Sequence, residues 1–105
     1  MPYRKIPNLE LSGPARDDIE DIAHYTYLKY GEAQVDVYLQ ILNGRMALIA
    51  QNPTIGHRRD DLPKHYRALQ AGKHVIVYRT INNTINVARI LHGSMDFKKY
   101  IDLSS

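Results

Sequence analysis

Cysteine is absent from this chain of 105 residues. That excludes disulfides and thiolate metal ligands, and it accords with a reducing compartment. Long apolar runs are missing as well. The longest is Met46–Ala50, far short of the roughly 20 residues a membrane-spanning helix needs. Arg4 and Lys5 stand near the start, but no apolar stretch of about 7–15 residues follows them, so no secretory signal is expected. The protein is therefore expected in the cytoplasm, without contact with a membrane. There is no glycine-rich phosphate loop and no Gly-x-Ser-x-Gly elbow. His57, His65, His74 and His92 fall on different segments with no His-x-x-x-His pair, which leaves no ordinary zinc spacing. Neither a metal nor a cofactor is expected.

What the chain does have is an ordinary globular composition, 44% hydrophobic, above the range of disordered segments. Its length suits one domain spanning residues 1–105, with a core that needs no covalent staples. Charge is uneven along it. Residues 1–56 carry five Lys/Arg against seven Asp/Glu, whereas residues 57–105 carry nine against four, with four of the five histidines. Such asymmetry suits a C-terminal half that faces something anionic, a nucleic acid or an acidic protein segment.

The apolar spacing divides the chain into six elements. Residues 3–11 read as an edge strand interrupted by Pro7. Ser12-Gly13-Pro14 opens a helix, with a capping hydroxyl and a proline where its missing N–H costs nothing. Ala15, Ile19, Ile22, Ala23, Tyr27 and Tyr30 form its apolar face, and Gly31 stops it. A second helix runs from Glu32 to Gln51, with Val37, Ile41 and Leu48 on an inward stripe that Tyr38, Leu42 and Ile49 widen. Asn52-Pro53 ends it. After a polar loop over 54–64 the period changes to two. His65–Ala71, His74–Ile81 and Thr84–His92 read as strands joined by tight turns at Gly72-Lys73 and Asn82-Asn83. Met95–Leu103 is a tail or a single helical turn. The fold class is α+β: an N-terminal strand, an antiparallel helical hairpin, then a three-stranded antiparallel meander in one sheet.

Arg79 and Arg89 interrupt the most apolar strands. With a two-residue turn at Asn82-Asn83, Val75, Val77, Arg79, Ala88, Ile90 and His92 share one face, and Ile76, Tyr78, Val87, Arg89 and Leu91 the other. A turn one residue longer would bring both arginines to one face. Two helices cover only one side of a small sheet, so the other is expected to stay partly open, apolar and basic. Arg58, Arg59 and Arg67 add to that surface. No Asp or Glu lies between His65 and His92, so Arg79 and Arg89 are expected to be removable without loss of the fold.

In order and with matching gaps, several segments resemble the ParE-type toxins of bacterial toxin–antitoxin pairs. They are Leu11–Ile22, Gly31–Gln34, Asn52-Pro53 with Gly56, Tyr66-Arg67, Gly72–Arg79, Val87–His92 and Met95-Asp96. The resemblance implies the RelE/ParE fold and a growth-inhibiting toxin held by a cognate antitoxin, a flexible chain that folds onto it. It implies poisoning of DNA gyrase by binding rather than by chemistry, with DNA contacted only through the antitoxin. It carries over Arg67, Arg79, Arg89, His92 and Met95 as family positions; Arg58, Arg59, Lys98 and Lys99 complete the expected partner surface.

Two other readings stay open at this point. The RelE branch of the superfamily cleaves mRNA on the ribosome with a basic cluster, often with a C-terminal tyrosine or histidine–tyrosine pair. In that reading Arg79, Arg89 and His92 are the candidates, although Gly93-Ser94 follows His92 and the next aromatics are Phe97 and Tyr100. A degenerate toxin serving only to bind an antitoxin is the other.

Overall fold

A computed structural model describes residues 5–101. Ser12 caps the first helix: its Oγ accepts the Ala15 N–H at 3.0 Å while its hydroxyl donates to the Ala88 carbonyl at 2.7 Å. The helix α1 spans Gly13–Tyr30 and α2 spans Glu32–Gln51. Between them Gly31, at φ +94°, donates its N–H to the Tyr27 carbonyl and offers its own carbonyl to Val35. One residue thus ends one helix and begins the next, a backbone geometry that favours glycine.

The strands are β1 Leu9–Leu11, β2 Arg67–Ala71, β3 His74–Ile81 and β4 Thr84–His92. They form one sheet in the order β1-β4-β3-β2. Asn82 and Asn83 both take positive φ, 51° and 65°, the geometry of a two-residue hairpin turn. The strands β2, β3 and β4 make the expected meander, but β1 pairs with β4 in parallel. The helical hairpin and the loop after it return the chain to its starting end, so β1 and β4 run the same way. The first strand is also shorter than its apolar pattern, because the turn at Pro7-Asn8 precedes it, with Asn8 at φ 62°; residues 3 and 4 lie outside the described residues. Likewise β2 starts at Arg67, the Tyr66 N–H being taken by the Pro63 carbonyl.

Both helices lie on one face of the sheet. Ile19, Ile22, Leu42, Met46 and Ile49 pack there against Ile76, Tyr78, Val87 and Ile90. The helix faces differ in part from the expected ones. In α1 the buried set is Ala15, Ile19, Ile22 and Thr26, while Tyr27 is 55% and Tyr30 57% exposed. Thr26 tolerates burial because its hydroxyl donates to the Ile22 carbonyl at 2.7 Å. In α2 Leu39, Leu42, Met46 and Ile49 face inward, and Val37 and Ile41 are exposed. This helix is apolar around most of its circumference, so its own periodicity offers two stripes; contact with the sheet selects one.

The opposite face is not open. Leu62 and Tyr66 from the long loop, with Phe97 and Ile101 from the C-terminal segment, cover Ala68, Val75, Val77 and Leu91. A 3-10 turn over Phe97–Lys99, capped by Asp96, presents Phe97 with 0% exposure. Burying that ring stabilises the fold by about 2–3 kcal/mol.

Candidate functional site

A β-bulge sets the geometry of the basic residues. Tyr78 pairs with Val87 but Val77 pairs with Arg89, so Ala88 is the extra residue on β4. The turn has the expected two residues, yet the bulge shifts every later position by one and flips it to the other face. Arg79 and Arg89 therefore share the outer face, and His74 and His92 share the helix-facing side. This corrects the face assignment read from alternation alone.

Three guanidinium groups lie on rings of the outer layer. Arg59 stacks on Phe97 at 4.1 Å, Arg79 on Tyr66 at 5.0 Å and Arg89 over Tyr100 at 5.7 Å. Two of them are neutralised. Arg59 donates from Nε and Nη2 to Asp61 at 2.8 and 2.7 Å. Arg89 donates from the same pair of nitrogens to Asp18, both at 2.8 Å, and from Nη1 to the Tyr100 carbonyl at 3.0 Å. Asp18 Oδ2 also accepts the Ile90 N–H at 2.8 Å. The Asp18 carboxylate beside it raises the Arg89 pKa above its usual range, chiefly through these hydrogen bonds. Arg89 is thus not the isolated cation expected from its strand: a helix residue supplies the carboxylate.

Arg79 is placed differently. Its Nη1 lies 3.4 Å from His65 Nε2, and its Nε is buried without a hydrogen-bond partner. Neither of the two ion pairs among the described residues includes it. An unmet buried N–H costs about 1–3 kcal/mol.

The other candidates scatter. Arg67 points to the helix side and donates to the Gly56 carbonyl at 3.0 Å, and Arg58 donates to the Lys64 carbonyl at 2.7 Å. Lys98 and Lys99 are exposed on the 3-10 turn. His92 and Met95 border a groove of about 510 Å³ between α1 and the ends of β3 and β4.

That groove contains residues the sequence reading passed over. Tyr25 and Tyr30 of α1 and Tyr38 of α2 line it, with Lys73 and His74. Tyr38 Oη accepts the Lys73 N–H at 2.9 Å and pairs with His74 Nδ1 at 2.6 Å, which ties α2 to the β2–β3 turn. Gly72 at φ 61° makes room there: a Cβ on it would sit 2.8 Å from Tyr38 Oη. Burial raises the Tyr38 pKa, against the opposing backbone N–H groups of Lys73 and His74. The His74 and His92 rings meet edge-on at 5.4 Å. His92 Nδ1 accepts the Ser94 N–H at 3.2 Å, so a neutral His92 carries its proton on Nε2. Burial first, and His92 second, lowers the His74 pKa below its ordinary 6.5, while Asp18 opposes the shift. Tyr30 and Tyr38 stood among the expected apolar helix faces and Tyr25 did not; only the crossing of α1 over the strand ends turns the three into a groove wall.

Arg79 and Arg89 on one face and His92 on the other do not converge. Among the described residues, no three His, Asp or Glu side chains gather as a metal-ligand set, and no helix is long and apolar enough to cross a membrane.

The class emerges first from the backbone. A solved chain described as the chromosomal ParDE TA system from P. aeruginosa superposes with a TM-score of 0.70 at 17% identity, covering 80% of this chain and 92% of that one. This likeness shows the fold. The sequence goes further: residues 9–97 match the family model for the ParE toxin of the type II toxin–antitoxin system parDE. Toxin ParE1 of Mycobacterium tuberculosis is 40% identical over 87 residues, 82% of this chain and 89% of that protein. Toxin ParE1 of Caulobacter vibrioides is 31% identical over 100 residues, 95% of this chain and 97% of that protein. The chain belongs to the ParE toxin family of type II toxin–antitoxin systems, and such a system implies an antitoxin partner.

Proposed function

We propose that this ParE-family toxin arrests growth by binding and poisoning DNA gyrase in the cytoplasm, without catalysis of its own, and that a ParD-like antitoxin neutralises it. The observation that carries the reading is the groove. Tyr25 and Tyr30, exposed on α1, stand beside Lys73, His74 and His92 at the strand ends. Exposed aromatic walls beside Lys73, on a groove that Asp18 and Asp21 also line, suit an amphipathic segment that folds on binding. The separation of Arg79 and Arg89 from His92 across the sheet supports a binding mechanism over a nuclease built from those three.

The test is a DNA gyrase supercoiling reaction with the purified toxin freed of its antitoxin. Loss of supercoiling with trapped linear DNA, reversed by the antitoxin, is the expected result. A folded, growth-inhibiting sample without effect on gyrase would move the target to the ribosome.

A further inference from the structure

We propose that Arg79 is the docking point for a carboxylate of the toxin's protein target, on a surface separate from the antitoxin groove. The inference rests on the reading of this chain as a toxin that acts by binding, but not on gyrase as the target.

The three stacked arginines provide the comparison. On Arg59 and on Arg89 a carboxylate takes the Nε/Nη2 edge of the guanidinium. Among the described residues no carboxylate pairs with Arg79; its Nε is buried without an acceptor, which leaves the terminal Nη1/Nη2 edge as the one a partner could reach. The side chain is nonetheless held in place by the Tyr66 ring and the apolar layer beneath, so little freedom remains to be lost when a partner arrives. A planar fork so held suits bidentate pairing with a carboxylate.

The surroundings favour a protein over a nucleic acid. On the outer face, Ile81 follows Arg79 along β3 and is 43% exposed. Asn86 and Thr84 pair opposite these two on β4. Arg59 and Arg89 on the same face are each paired with a carboxylate, so Arg79 stands beside Ile81, Asn86 and Thr84 as a cation without one, which resembles the centre of a protein interface; a phosphate backbone calls for a stripe of unpaired cations. Location separates this site from the groove. His74 borders the groove at one end of β3, and Arg79 lies about 17 Å along the strand on the other face of the sheet.

The experiment compares Arg79→Gln and Arg79→Lys with the wild type and with Arg45→Gln, which removes an exposed charge on α2. Growth arrest on graded induction, affinity for the antitoxin and the thermal midpoint are measured for each. Arg79→Gln is expected to raise the toxin level needed for arrest by about tenfold or more, the loss of one bidentate charged contact. Arg79→Lys is expected to recover only part of it, since charge remains without the fork. Arg45→Gln is expected to behave as the wild type, and the Arg79 variants to keep antitoxin affinity without a fall in thermal midpoint. Full toxicity of Arg79→Gln would overturn the proposal, and so would a parallel fall in antitoxin affinity or thermal midpoint. A short labelled DNA duplex bound by the wild type and released by Arg79→Gln would assign the site to phosphate instead. A wild-type chain that arrests no growth would leave the site without a target and overturn it too. If gyrase is unaffected but Arg79→Gln still loses toxicity, the docking site stands and the gyrase reading fails.

Discussion

Asp18 on α1 and Arg89 on β4 lie 71 residues apart in sequence and form a bidentate ion pair with both oxygens at 2.8 Å. Their side chains are only 11% and 22% exposed, and the same carboxylate holds the Ile90 N–H. The pair fastens the helical hairpin to the strand that crosses the bulge. Removing either partner leaves the other charged and largely shielded from water. Asp18→Ala and Arg89→Ala are each expected to lower the unfolding free energy by about 1.5–3 kcal/mol. In a double-mutant cycle followed by urea denaturation, the double variant should lose much less than the two singles combined. Additive losses would show that the two side chains act independently.

The two stripes of α2 make opposite expectations for neighbouring residues. Leu42 is 1% exposed, whereas Ile41 is 39% exposed. Leu42→Asp places an unpaired charge in the core, at a cost on the order of several kcal/mol, comparable to the whole stability of a small domain. Ile41→Asp is expected to keep a cooperative thermal transition. A normal melt for Leu42→Asp, or no transition for Ile41→Asp, would reverse the helix orientation described here.

His74 links stability to pH. Burial holds its pKa in the folded chain below the ordinary 6.5. Above that value the ring is neutral whether folded or not. As pH falls below 6.5 the unfolded chain takes up the proton more readily, so stability is lost, and the loss levels off below the folded-state pKa. Tyr38, His92 and Lys73 surround the ring, and Asp18 opposes the shift. Melting temperatures taken between about pH 7.5 and pH 5 should fall less steeply for His74→Gln than for the wild type. Equal slopes would remove His74 from the account.

Tyr25 tests the groove. It is 60% exposed and meets Lys29 through a hydrogen bond of 3.1 Å and a ring contact on the surface, so its removal should leave the melting temperature almost unchanged. If the antitoxin segment lies against this wall, Tyr25→Ala should weaken antitoxin binding by about 10- to 30-fold, as for a buried aromatic anchor. Calorimetric titration with the antitoxin gives the number directly. Unchanged affinity would put the antitoxin elsewhere.

Much of the architecture is legible because its causes are local. Ser12, Pro14, Gly31 and Asn52-Pro53 mark the helix ends through their own side chains and backbone preferences. The turn at Asn82-Asn83 works the same way. The order of elements and the family resemblance follow from such markers, and both agree with the structure and its relatives.

The faces were decided elsewhere. A single extra residue at Ala88 brings Arg79 and Arg89 together and sends His92 to the groove, and alternation in the sequence does not show where a ladder slips. The inward stripe of α2 depends on the sheet it meets, because the helix has apolar side chains on both sides. Asp18 finds Arg89, and Phe97 closes a face that strand pattern alone leaves bare. Caps and turns are energies within a few residues, and so they can be read along the chain. Register, cover and charge pairing are energies between segments tens of residues apart, and they take their values only when the chain has folded.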